Sequence, residues 1–420
     1  MKPKKNYTLF FIAVVNMLAV LASCSDKNEF IEMISGDNTK PDPIKDYRIT
    51  NFNGGAYIIY DLPKSDNILY VKAKYYLGDG TDRPVETRSS YFSDTTTVEG
   101  FAKAKEYEVK LTVVSRANIE SDPIVVKVAP LTPVYQLVAA NLTLTADFAG
   151  VRVQSKNDMK KNVGIVFLDD ALGTYSIRLQ SFSSLEAISF PVRGYDTLPK
   201  VYAAYVTDKW GNRSDTIRST VKPLYEKRLD PRKFSPFALS GNETPILGGY
   251  PLTNLFDADA GGNPNVGSFW HTGNPDQTGG TLPQWGTFSL GTYAKLSRIK
   301  LTPRDFNIFI HNNPKLFSIW GSASERPGPF VPPAYADEGT RLGESGEWEN
   351  LGNFSMNDPV SGAARSAATA GDLAEARKGQ DFDIRFDAPK VRYIRLVVST
   401  NMSNGVIINA ADISFWGDER

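Results

Sequence analysis

The segment Arg392–Val398, RYIRLVV, alternates polar with apolar residues, and so does Ser297–Pro303, SRIKLTP. Successive side chains of a strand point to opposite faces, so both runs read as strands with one face against a core. The same reading extends outward along the chain. GAYIIYDLP (55–63), NILYVKAKYYLGDG (67–80), EYEVKLTVVS (106–115) and PIVVKVAP (123–130) are short β-branched and aromatic runs. Gly, Pro, Asn and Asp separate them, which is the punctuation of an all-β chain. The Ala-rich stretch 362–379, GAARSAATAGDLAEARKG, is the exception and reads either as a short helix or as an unstructured insert.

A length of 420 residues implies several domains, and 41 % hydrophobic residues is ample for their cores. Lys+Arg and Asp+Glu are 47 each. The resulting zero net charge argues against a nucleic-acid binder, which needs a basic excess.

A repeat appears at a spacing of 93 residues. VKLTVVSRANIESDPIVVKVAPL (109–131) aligns with YAAYVTDKWGNRSDTIRSTVKPL (202–224), each being strand, polar turn, strand and proline exit. A period of this size suits a seven-stranded sandwich. The opening KPDPIKDYRITNFNGGAYIIYDLP (40–63) resembles the first two strands of a fibronectin type III domain. Two tandem immunoglobulin/fibronectin III-like sandwiches are therefore expected at 43–131 and 132–228. Beyond them the composition shifts. Of six tryptophans only Trp210 lies before residue 230, and both histidines, His271 and His311, lie after it.

The N-terminus, MKPKKNYTLFFIAVVNMLAVLASC, has a basic start, a short apolar run and small residues before Cys24. These are the marks of a secretion signal, expected at 1–23. Leu21-Ala22-Ser23-Cys24 resembles the bacterial lipobox, which implies lipidation at Cys24. The following SDKNEF, with Asp26 and Glu29, resembles the surface-export signal of Bacteroidetes lipoproteins. Residues 24–42 are polar and read as a tether. Cys24 is the sole cysteine, so disulfides and thiolate metal sites are unavailable.

The C-terminal part, 235–420, carries a further resemblance. NLFDADAGGNPNVGSFWHT (254–272) is similar to the loop that opens a discoidin, or coagulation-factor five/eight type C, domain. PQWGTFSLG (283–291), LSRIKLTPR (296–304), PKLFSIWGSAS (314–324), EWENLGNF (347–354), FDIRFDAPKVRYIRLVV (382–398) and ADISFWG (411–417) follow in that family's order. The resemblance implies a β-jelly-roll with ligand-binding loops at one end. It implies sugar contacts by His271, by Arg304 and by Asn312 or Asn313. Arginine and asparagine offer fixed donors to paired hydroxyls, and a neutral imidazole both donates and accepts. Many relatives carry a stacking aromatic where this chain has Asn274, so Phe306, Trp285 or a residue of 325–345 must supply that platform. Trp285, Trp320 and Trp416 sit in strand-like runs, and core packing is the simpler reading for each. The resemblance also implies a structural calcium held by Asp257, Asp259 and Asp412, with Ala258 standing where relatives have glycine. Calcium takes six to eight oxygen ligands from a loop able to wrap. No organic cofactor is expected.

There is no HExxH, GxSxG, phosphate-binding loop or Cys/His zinc set. The acids show no pairing of the kind glycoside hydrolysis requires. The reading is a non-catalytic glycan-binding lipoprotein of the outer membrane, displayed on the cell surface. It resembles the accessory proteins of Bacteroidetes polysaccharide utilisation, with other outer-membrane glycan-uptake proteins as partners. The alternatives are a protein-binding adhesion or scaffold lipoprotein, and an accessory subunit of, or a divergent, glycoside hydrolase. In the last case His271 and His311 would be the acid–base candidates.

Overall fold

The computed structural model describes residues 35–78, 84–169, 176–239, 242–257 and 268–420. The signal segment, Cys24, Asp26, Glu29, Ala258 and Asp259 lie outside these residues. The fold is all-β, built from antiparallel sheets. The chain divides into two compact units. One holds the described residues up to Leu144 with Val153–Phe190 and Val201–Ser219, and the other holds Thr145–Arg152, Pro191–Lys200 and Thr220–Arg420.

The first seven strands are β1 (Tyr47–Phe52), β2 (Gly55–Tyr60), β3 (Ile68–Tyr76), β4 (Pro84–Ser90), β5 (Thr95–Glu99), β6 (Tyr107–Ser115) and β7 (Ile124–Val128). They form a three-stranded sheet, β1-β2-β5, and a four-stranded one, β4-β3-β6-β7. Alternation decides which side chains go inward. Ala56, Ile58 and Tyr60 of β2 and Val109, Leu111 and Val113 of β6 enter one core, with Tyr75 and Phe101. The short helix α1 (Val134–Ala140) follows. Then come β8 (Thr143–Asp147), β9 (Gly150–Lys156), β10 (Val163–Asp169), β11 (Ser176–Ser183), β12 (Ala187–Arg193), β13 (Lys200–Thr207) and β14 (Ile217–Val221). Their sheets run β12-β9-β8 and β11-β10-β13-β14.

The 93-residue spacing has a local physical basis. Val113 N donates to Ser121 Oγ at 3.0 Å, and Val206 N donates to Ser214 Oγ at 2.9 Å. Ser121 Oγ and Ser214 Oγ each donate onward to the carbonyl of the next residue, Asp122 or Asp215. The repeated Ser-Asp pair is thus a turn clamp.

The remaining strands are β15 (Lys227–Arg228), β16 (Ser235–Pro236), β17 (Trp270–His271), β18 (Gln284–Thr302), β19 (Pro314–Ser322), β20 (Arg341–Leu342), β21 (Trp348–Ser355), β22 (Gln380–Asp383), β23 (Lys390–Asn401), β24 (Asn409–Ala410) and β25 (Asp412–Asp418). Seven of them lie in the order β15-β25-β18-β23-β19-β21-β20, and β16 and β22 also pair with β18. The 19-residue β18 organises this sheet. Its first half pairs with β23 and its second half with β25, with register shifts between Ser289 and Ala294 and between Leu296 and Arg298. Gly291, at φ +70°, sits where the strand turns between partners.

Side chains of β18 feed two cores. Phe288, Leu290 and Ile299 enter the larger one with Trp270, Phe317, Leu396 and Phe415. Trp285 points the other way and packs against the smaller cluster of Leu239, Trp320, Phe330, Trp348, Tyr393 and Val397. That second cluster corrects the simple alternation expected of RYIRLVV. Arg395 does not face water but has no exposed surface, because the 325–345 segment brings Phe330 over it. Trp416 is half-buried, with the Arg298 guanidinium 4.0 Å from its ring.

The Ala-rich insert forms helix α3 (Ala370–Ala376), the short helix α2 (Pro275–Thr278) having preceded it. Its sequence explains why it is ordered. Asp372, three residues after Thr369, accepts from Thr369 N and Oγ1 and from Ser361 N and Oγ. Thr369 Oγ1 accepts in turn from Asp372 N, which closes a capping box.

Candidate binding site

Three segments meet at one end of the second unit: β17, the loop from β18 to β19, and the segment leading into β24. Trp270, fully buried, pins β17 into the core and leaves its neighbour His271 half-buried. The pairing of β17 with β24 puts His271 opposite Asn409. Thr272 fastens this junction: its N donates to Ile408 O at 3.0 Å, and Ile408 N donates to Thr272 Oγ1 at 2.9 Å. The loop 303–313 is braced from within. Asn313 Oδ1 accepts from Arg304 N at 2.7 Å, and its Nδ2 donates to the carbonyls of Arg304 and Ile308. Asn312 O accepts from Asn409 N at 2.9 Å, tying this loop to β24.

At the centre lies Arg304. Its guanidinium carbon is 4.1 Å from the Phe269 ring centroid and 5.1 Å from that of Phe306. Phe306 is 52 % exposed and stands edge-on to His311, centroids 5.6 Å apart. On the other side, Phe269 lies 4.6 Å from Tyr250, and Tyr250 lies 5.8 Å from His271. One run of rings, Tyr250, Phe269, Phe306 and His311, thus carries Arg304 and His271 along it.

The electrostatics have simple causes. Burial holds the His271 imidazole below its ordinary value. Its bond to the Thr272 carbonyl opposes that shift, and the charges of Arg304 and His311 add to it. Burial likewise lowers Arg304, against a small opposing effect from Tyr250. Several polar atoms here have no protein partner among the described residues. His311 Nδ1 and both side-chain polar atoms of Asn409 are buried and make no hydrogen bond. Among the described residues the Arg304 guanidinium makes no ion pair or side-chain hydrogen bond and lies against rings. Buried polar atoms are almost always paired, so such a concentration points to a ligand or water site.

The residues expected from sequence therefore separate. His271, Arg304 and Phe306 come together, while Asn312 reaches β24 through its backbone carbonyl and its side-chain Oδ1 accepts from Ser403 Oγ at 3.3 Å. Asn313 does not belong with them as a contact residue: it is 2 % exposed and wholly used in holding the Arg304 loop. Trp285 is also corrected. It faces the smaller core, donates from Nε1 to Asn242 O at 2.8 Å, and offers no platform here. The 325–345 segment covers that same opposite face. Asn274, in the place of the expected aromatic, accompanies α2, its N donating to Gln277 Oε1. Asn409, His311, Tyr250 and Phe269 complete the cluster, and only His311 carried any signal in the sequence, as one of two histidines.

The candidate calcium ligands lie elsewhere. Asp412 is pushed up to about 6, mainly by burial and further by the Asp257 carboxylate, while Ser414 and Arg228 oppose the shift. Asp257 accepts from Ser268 Oγ. Two of the three expected acids are thus close enough to feel each other. Among the described residues no group of three acids, histidines or cysteines forms a metal site.

Three family models match the chain, all described as domains of unknown function: DUF4959 at residues 41–130, DUF5126 at 131–232 and DUF5000 at 258–417. No curated protein matches. Among solved structures, the chain is similar to a SusE-like protein, at 22 % identity over 69 % of this chain and 100 % of that one, with TM-score 0.41. It is similar to a CBM32 domain from a family 31 glycoside hydrolase of Clostridium perfringens, at 17 % identity over 46 % of this chain and 95 % of that one, with TM-score 0.31. The C-terminal domain of a chitobiase from Bacteroides fragilis gives 17 % identity, 46 % and 98 % coverage, and TM-score 0.30.

Proposed function

We propose that this chain is a non-catalytic glycan-binding protein, lipid-anchored through Cys24 at the surface of the outer membrane, which captures polysaccharide for uptake. The observation that carries the reading is a set of polar groups beside an aromatic run: the Arg304 guanidinium against Phe269 and Phe306, the half-buried His271, and the unpaired polar atoms of His311 and Asn409. A pyranose has an apolar face and an edge of hydroxyls. Exposed Phe306 suits the face, and the guanidinium and imidazoles suit the edge. No helix among the described residues is long and apolar enough to cross a membrane.

Binding of the full chain to a glycan array and to polysaccharide affinity gels tests this. Arg304→Ala and His271→Ala should each weaken binding by about tenfold or more, the loss of one or two hydrogen bonds to a charged or half-buried group. Absence of any glycan ligand for the folded wild type rules the function out, as does unchanged binding in both variants.

The calcium is proposed on Asp257 and Asp412, whose mutual repulsion a divalent cation would relieve, with Asp259 as a third ligand. Its role would be to fix the 254–272 segment. Added calcium should raise the melting temperature and EDTA reverse it, with Asp412→Ala insensitive to both. A melting curve indifferent to calcium removes the proposal.

A further inference from the structure

The binding site is unusually one-signed. Arg304 has no carboxylate partner among the described residues, and the charges that act on His271 are those of Arg304 and His311. The acid next in sequence, Asp305, is taken by Arg377, whose Nε donates to it at 2.8 Å. Several other arginines of this unit have carboxylate partners: Arg298 with Glu226 and Asp381, Arg365 with Asp358, Arg385 with Glu349 and Asp387, Arg395 with Glu243. A half-buried guanidinium without a counter-charge is costly, and such a charge normally finds a partner.

The geometry says what kind of partner fits. Two rings lie against the Arg304 guanidinium, at 4.1 and 5.1 Å. A planar group that meets rings through its faces keeps its in-plane N–H fork for another partner. That fork matches the two oxygens of a carboxylate and forms paired, charge-assisted hydrogen bonds with it. His311, beside Phe306, offers a further ring nitrogen.

We infer that the site selects an acidic saccharide, a uronic-acid residue whose carboxylate docks on the Arg304 fork while its ring lies against Phe306. This rests on the glycan-binding reading and narrows it. A neutral sugar would leave the arginine without a counter-charge, whereas a uronate neutralises it.

The test is calorimetric titration of the full chain with matched acid and neutral oligosaccharides: galacturonate against galactose, glucuronate against glucose, and mannuronate against mannose oligomers of equal length. In one pair the acid member should bind at least about tenfold tighter. That preference should shrink several-fold when salt is raised from roughly 50 mM to roughly 500 mM, as screening requires. Arg304→Gln should abolish the preference, and Arg304→Lys, which keeps charge without the fork, should keep a weakened one. Neutral members binding as well as acid ones overturn this inference and leave the glycan function intact. A sulfated glycan as the sole ligand overturns the carboxylate assignment. No saccharide binding at all overturns both readings. The wild-type comparison decides the matter even if the Gln variant does not fold.

Discussion

At the scale of single residues, two arginines of one unit show opposite solutions to burying a positive charge. Arg395 has no exposed surface and is fully partnered. Its Nε donates to Thr287 Oγ1 at 2.8 Å, and its terminal nitrogens donate to Asn242 Oδ1 at 2.9 Å, Glu243 Oε1 at 3.0 Å and the Phe330 carbonyl. Burial lowers its pKa to about 10, so it stays charged at neutral pH. Arg395→Met leaves Glu243 unpaired and should destabilise the protein by roughly 3–5 kcal/mol in urea unfolding, with partial recovery in Arg395→Met/Glu243→Gln. A loss under about 1 kcal/mol would mean the ion pair contributes nothing beyond its packing. Arg304, by contrast, has rings and no anion. His271 beside it gives a pH signature. Its folded-state pKa lies below the ordinary 6.5, so protonation favours the unfolded chain. Its stabilising contribution is complete above pH 6.5 and is lost as pH falls below that value. Asp412, pushed up to about 6, takes up a proton in the folded chain over the same range and acts in the opposite sense, so the readout is the difference between proteins: between about pH 7 and about pH 5 His271→Gln should lose less stability, or gain more, than the wild type. An identical pH dependence in the variant would remove His271 as a contributor. The sequence made His271, Arg304 and Phe306 readable because they fall inside ordered motifs. Asn409 and Tyr250 were not readable: they reach the cluster through pairing and packing between distant segments, which no local pattern encodes. Asn313 shows the converse error, a residue of the right type at the right place whose amide is spent on its own loop.

At the scale of elements, β18 decides how the site is presented. A strand that pairs with β23 along one half and β25 along the other cannot stay flat, and Gly291 is where it yields. At φ +70° a side chain is strained, and a Cβ there would stand 2.5 Å from the Lys233 carbonyl oxygen. Gly291→Ala should therefore cost roughly 1–3 kcal/mol. Arg304 lies beyond the far end of the same strand, so sugar affinity should be unchanged at temperatures where the variant is folded. A wild-type melting temperature in Gly291→Ala would show that the backbone at this bend adapts freely. The alternation of RYIRLVV and SRIKLTP was enough to identify strands, but not to foresee that β23 is buried on both faces. The covering segment is irregular, and its key residue, Phe330, sits in a Pro- and Gly-rich stretch without periodicity. The Ala-rich insert was ambiguous for a related reason. Only the Thr369–Asp372 cap resolves it, and a seven-residue helix has too few turns for its period to stand out.

At the scale of the whole molecule, the proposed anchor and the proposed site imply a division of labour that can be measured. A shallow site with one exposed aromatic and a few donors gives modest affinity for one sugar, since only the surplus over ordering and desolvation appears as binding. Copies fixed to one surface change the arithmetic. Once the first has engaged a polymer, each further site binds at an effective concentration set by the spacing of copies and repeats, and avidity gains of about 10²–10⁴ need no new contact. A chain immobilised at its N-terminal end at high density should therefore retain an acidic polysaccharide far more tightly than the soluble chain does. A short oligomer of the same sugar should bind both forms equally, because it spans a single site. Arg304→Gln should lose the polymer gain disproportionately, since the deficit at each site multiplies along the chain of contacts. Equal retention of polymer by the dense surface and by the soluble chain would show that the protein works one molecule at a time, and capture would then have to rest on an affinity higher than this site's geometry provides.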